Sequence, residues 1–325
     1  MATNHFKIYS VAEFLERASY PEFTKMISHE HSSIMAIPVC GTSEINPQPT
    51  NLTINGLKQI PCGNHSDVVL LNTKDGSGYV NANYVSGFDM KKKFIATEWP
   101  MANILDNFWS MVWQENVRVI VMLTSTEEEF YASNVLYFPY NQDNTMVSDI
   151  LVTIDEINSE NFYTETILSI ASKTTGEIRK VHHFKYSKWH KYAVPEAEGF
   201  LNFLLAVNKQ YQKLLRSELF SNNQFLPGPI IIHGSADIGR AATFCAVDTC
   251  LYQLVATISV SSVVLKIRQQ RSSSIVSLGM YNFINHVLLY FLITIKSKRA
   301  LFDELRSHLT AKDLKVLNHS LINFV

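Results

Sequence analysis

A chain of 325 residues with 46% hydrophobic and 18% charged residues has the apolar content for a sizeable core, which excludes intrinsic disorder and a repeat array. Its 28 Lys and Arg against 29 Asp and Glu leave a net charge of −1, so no positive field draws it to nucleic acid or an anionic membrane. Four cysteines without a CxxC pair argue against a disulfide framework and a zinc site and fit a reducing compartment.

The N-terminus, Met1 to Phe6, has no basic segment followed by an apolar one and carries Ala2 where myristoylation needs glycine. The longest apolar stretch, around Val287 to Ile295, is about half of what spans a bilayer. Both observations point to a cytoplasmic chain without a membrane span.

In chain order, Ser10-x-x-Glu13 is a capping box and Pro21 suits a first helical position, so the N-terminal stretch reads as helices. From Gly41 to Asn64, Pro47, Pro49 and Pro61 with repeated Asn and Gly predict a long loop. Lys91-Lys92-Lys93 reads as a solvated turn. Ile104, Phe108, Met111 and Val112 recur at helical spacing, and Val117 to Leu123 reads as a strand covered on both faces. Asp149–Asp155, Tyr163–Ile170 and Val181–Tyr186 predict strands, the first two in a more exposed antiparallel region. Pro195 opens a long helix with Phe200, Phe203, Leu204, Val207, Tyr211 and Leu214 on its core face. Cys245 and Cys250 read as core, and His182-His183 falls on a strand and not at ligand spacing.

The stretch Ile230 to His233 predicts a buried strand, followed by a small-residue turn and a helix over Ala241–Val255. His233, Gly234, Ser235, Ala236, Asp237, Ile238, Gly239 and Arg240 therefore stand where backbone N–H groups at a helix N-terminus can ring an anion. With no linker or repeat, the chain reads as one α/β domain.

That segment resembles the phosphate loop of cysteine-dependent protein-tyrosine phosphatases, His-Cys-Ser-x-Gly-x-Gly-Arg-Thr/Ser-Gly. Tyr79 to Tyr84, Lys93 to Thr97, Asn107 to Trp113 and Val119 to Thr124 are similar to the family's framework motifs in order and spacing, over about residues 20 to 295. The narrower likeness is to tyrosine-phosphatase-like proteins of polydnaviruses, carried by Ser10 to Phe14, Glu30-His31 and Met35 to Val39. The resemblance implies a single phosphatase-like domain over 20–298 with a central twisted mixed sheet flanked by helices. A helical N-terminal segment over 1–40 belongs to it, and a helical extension over 299–325 follows. It also implies a role inside infected host cells, without a cofactor.

The departures decide what the resemblance implies for activity. The family's nucleophile is a low-pKa thiolate, and this chain has Gly234 there. The family's general acid is the Asp of a Trp-Pro-Asp loop; here Trp189-His190-Lys191 stands in its place, and a lysine cation is a poorly matched donor. The water-positioning glutamine corresponds to Met280, the substrate-stacking tyrosine to Leu57, and the lysine of the glutamate loop to Ser133. Arg240 keeps its bidentate fork, and Glu128 matches the glutamate that pairs with it.

Three functions compete: an active phosphatase, a phosphotyrosine trap, and a fold reused as a protein-binding surface. The first lacks nucleophile, acid and water-positioning group. Between the others Asp237 weighs against phosphate, because two unit charges about 6 Å apart repel by roughly 3 kcal/mol at an effective dielectric near 20. We expect Asp237 to turn inward beside Arg240 and close the cradle. The expected partners are host proteins, tyrosine-phosphorylated ones under the trap reading.

Overall fold

The computed structural model describes residues 6–39, 53–54, 57–58, 65–71, 79–100, 102–126, 128, 137–139, 145–147, 149–191, 193–220, 226–234 and 238–297. At its centre is a nine-stranded mixed sheet. In spatial order its strands are β4 (Asp67–Val69), β5 (Tyr79–Val85), β6 (Phe94–Thr97), β12 (Ile230–Gly234), β7 (Val119–Leu123), β11 (Ile178–Lys185), β10 (Thr164–Ser172), β9 (Ile150–Ser159) and β8 (Thr145–Val147). The pairs β6 with β12, β12 with β7 and β7 with β11 are parallel. The strands on either side are antiparallel. Two small pairs complete the strands: β1 (Tyr9–Ser10) with β13 (Thr257–Ile258), and β2 (Thr53–Ile54) with β3 (Leu57–Lys58).

The middle strands are apolar throughout because both faces are covered, and their side chains divide with period two. Phe94, Ala96, Val119, Val121, Leu123, Ile230 and Ile232 enter one core. Ile95, Ile120, Met122 and Ile231 enter the other. The first core is closed by α1 (Val11–Ala18), α2 (Phe23–Met35), α4 (Ala197–Phe220), α5 (Ile238–Gln253), α6 (Val260–Gln270) and α7 (Leu278–Ser297). The second is closed by α3 (Leu105–Gln114), which buries Phe108, Trp109, Met111 and Val112.

Local chemistry sets the element ends. Ser10 accepts from the Glu13 N–H at 3.2 Å while Glu13 accepts from the Ser10 N–H at 2.8 Å, which starts α1. At Pro227-Gly228-Pro229 the backbone runs so close to Glu115 that a Cβ on Gly228 would meet its carbonyl oxygen at 1.7 Å. Only glycine fits that approach.

Two expectations need correction. The stretch read as a long loop contains the short pair β2 and β3; most of the rest of it lies outside the described residues. Lys93 is not part of a solvated turn: only 3% exposed, it donates to Asp248 at 2.6 Å, and Asn208 also donates to Asp248, at 2.7 Å. Lys91 and Lys92 are exposed. The difference is position, since Lys93 immediately precedes β6 and its side chain follows the strand into the core.

Candidate functional site

The loop joining β12 to α5 leaves the C-terminal end of the parallel strands, where open α/β sheets bind ligands. Alternation along β12 aims its last two residues at opposite faces. His233 follows Ile231 into the aromatic core, and Gly234 follows Ile230 and Ile232 toward the helices.

His233 is fully buried, and its Nε2 lies 2.7 Å from the Tyr137 hydroxyl, which lies 2.6 Å from Nε2 of His183. A phenol has one proton, so it donates to one imidazole and accepts N–H from the other. Burial holds His233 down to about 3. His183 is likewise held down to about 3, first by burial and then by His233 and Lys185. Both rings are therefore neutral at pH 7. Trp99 meets His233 edge-on, with ring centroids 5.5 Å apart, and Phe108 lies 6.3 Å away.

On the other side, Arg240 stands in the first turn of α5 and is 2% exposed. Its Nη1 donates to Glu128 Oε2 at 2.7 Å and to the Leu123 carbonyl at 3.1 Å, and Nη2 donates to Glu128 Oε1 at 3.0 Å. Glu128 also accepts from the N–H of Ser125 at 3.0 Å and its hydroxyl at 3.1 Å. The guanidinium lies 5.8 Å from the Trp189 ring. Trp189 is buried, packs edge-on against Phe200 and donates to the Ala193 carbonyl at 2.8 Å, closing the turn that carries Lys191 on an exposed position. Both terminal nitrogens of Arg240 serve Glu128; its Nε is buried and has no partner among the described residues.

Met280 sits in the first turn of α7, partly buried against the helical core. The turn before it is strained, with φ of 62° at Ser273 and 51° at Ile275, a region a β-branched residue rarely adopts. Arg268 donates to the Ser274 carbonyl at 2.8 Å, and His31 on α2 lies 3.2 Å from the Ile275 carbonyl, holding that turn in place.

Of the remaining expected residues, Gly239 is buried at the start of α5. Ser235, Ala236, Asp237 and Ser133 lie outside the described residues, as do the side chains of Ile238 and Leu57. The inward turn expected of Asp237 falls there. Tyr137 and His183 were missed as supports of the loop, because their partners lie 46 and 96 residues away from Tyr137. Their residue types carry no local signal; the sequence places His183 on a strand and says nothing of its partner.

The protein-tyrosine phosphatase pattern matches residues 51–290. The chain belongs to the protein-tyrosine phosphatase family. It is similar to tyrosine phosphatase H2 of Microplitis demolitor bracovirus, at 30% identity over 89% of this chain and 90% of that protein. The probable tyrosine phosphatase protein N1 of the same virus is 34% identical over 91% of this chain and 94% of that protein. Human tyrosine-protein phosphatase non-receptor type 9 is 33% identical over 82% of this chain and 46% of its own length. Within the matched span Arg240 and Glu128 form a buried ion pair, His233 is followed by Gly234, and Trp189-His190 by Lys191. Among the described residues no helix is long and apolar enough to cross a membrane.

Proposed function

We propose that this member of the family is a pseudophosphatase that acts by binding protein partners in the cytoplasm of infected host cells, interfering there with signalling, adhesion or phagocytosis. The observation that carries the reading is Gly234 beside His233: the residue that would attack phosphorus has no side chain, and no rotamer or protonation change can supply one. Lys191 and Met280 support it, since neither matches the acid or the water-positioning amide that the two chemical steps use. The viral relatives support the setting.

Purified protein is expected to give no turnover of a phosphotyrosine peptide or an aryl phosphate; activity that follows the protein through further purification overturns the reading. Gly234→Cys is expected to stay far below phosphatase rates, because acid transfer and hydrolysis of the thiophosphate remain unsupported.

A second reading, a phosphotyrosine trap, is favoured by Arg240, whose guanidinium is held in place by Glu128 with Nε unpaired among the described residues. Calorimetric titration with one peptide in phosphorylated and unphosphorylated form separates the two. Equal weak heats favour the protein-binding surface, and binding that needs the phosphate and is lost in Arg240→Met favours the trap.

A further inference from the structure

A cleft of about 570 Å³ opens between the N-terminal segment and α2, and it shares no residue with the loop after β12. Phe6, Tyr9 and Met26 form its apolar wall, and Arg17, Lys25 and His29 supply its donors. Lys25 and His29 stand at i and i+4 on α2, so they project from one face. Glu30 also lines the cleft, but its carboxylate is already engaged: Arg17 Nη2 lies 3.3 Å away and the Tyr281 hydroxyl donates to the same oxygen at 2.8 Å.

Arg17 is the unusual member. It is 7% exposed, yet that one long bond to Glu30 is its hydrogen bond among the described residues, and its buried Nε has no partner among them. Its guanidinium is fixed mainly by rings, with its centre 4.9 Å from the Tyr9 centroid and 5.8 Å from that of Phe23. Ring stacking orients the fork without consuming its donors. A pre-oriented guanidinium with idle N–H groups, beside a lysine and an imidazole, is matched to a carboxylate.

We infer that this cleft is a docking site for an acidic peptide segment of a partner protein. One carboxylate is received by Arg17, a neighbouring one by Lys25 and His29, and an aromatic or aliphatic side chain lies against Phe6, Tyr9 and Met26. The charge balance selects this occupant: Arg17 and Lys25 face one carboxylate that is already paired, so the cleft carries an excess of positive charge on a chain whose net charge is −1. The inference goes beyond the proposed function, since it stands whether or not the loop receives phosphotyrosine.

The test uses the full chain and a fluorescein-labelled peptide of alternating glutamate and phenylalanine, followed by anisotropy, with the glutamine-for-glutamate peptide as control. Saturable binding is expected for the acidic peptide and at least about tenfold weaker binding for the control. Lys25→Glu, at an exposed position, is expected to leave the thermal midpoint unchanged and to weaken binding about tenfold. Raising salt from about 50 to 300 mM, which shortens the screening length from roughly 14 to 6 Å, is expected to weaken it further. Equal binding of both peptides, or an acidic peptide indifferent to Lys25→Glu, overturns the inference. So does binding that appears only with a phosphotyrosine peptide and is lost in Arg240→Met, since that would belong to the loop.

Discussion

The two residues that end β12 differ in what surrounds them. His233 is tied through Tyr137 to His183 and boxed by Trp99 and Phe108. Gly234, one residue later on the opposite face, presents no side chain. One turn into α5 the supported pattern returns with Arg240, clamped by Glu128. On the proposed reading, what such a loop needs to hold its shape is separable from what it needs for chemistry. The supports are buried polar groups, and deleting one partner strands the other at full desolvation cost. A catalytic side chain facing the ligand space leaves no such orphan when it is absent, so folding does not defend it.

This contrast can be broken most directly at the clamp. Glu128→Ala leaves the buried Arg240 charge unpaired and is expected to cost about 3–5 kcal/mol in denaturant unfolding. A loss below about 1 kcal/mol would mean that the clamp does not support the loop.

Acid should sharpen the contrast. His183 and His233 titrate near 3 in the folded chain, against an ordinary value of about 6.5 unfolded. Between those values the unfolded chain binds more protons, so stability falls as pH drops. The contribution is complete above pH 6.5, and the loss is on the order of 3 kcal/mol for each histidine by pH 4. In His183→Gln the slope of unfolding free energy against pH over that window should be shallower by about one proton. An unchanged slope would show that His183 is not kept neutral by folding.

Tyr137→Phe removes both hydrogen bonds at the hydroxyl, leaving one buried Nε2 without its donor and the other ring's Nε2–H without its acceptor, for an expected loss of about 1–3 kcal/mol. A neutral result would mean that aromatic packing alone holds His233.

The smallest effect belongs to the sheet surface, where the Lys180 Nζ lies 2.5 Å from Asp155 and both side chains are substantially exposed. Asp155→Asn should move stability by no more than about 0.5 kcal/mol. A change as large as that of Glu128→Ala would remove the distinction between buried and surface pairs.

Period and punctuation made much of this fold legible without coordinates. Ile104, Phe108, Met111 and Val112 marked α3, Val119 to Leu123 marked β7, and the change from Ile230–His233 to the helical run after Gly239 located the loop. The identities at Gly234, Lys191 and Arg240 could be read in the same way, because they lie at fixed offsets within short motifs. These signals are local, and each element or loop carries its own.

Lys93 shows where local reading ends. In a run of three lysines it is indistinguishable from its neighbours, and its partner Asp248 lies 155 residues further along the chain. The chain of Tyr137 with His183 and His233, the strained turn held by His31, and the half-bonded Arg17 beside Tyr9 are of the same kind. A buried polar group must find a partner, and the sequence states that need. Which residue meets it depends on strand order, register and the face toward which each side chain turns, all of which are decided when the sheet and its helices close together.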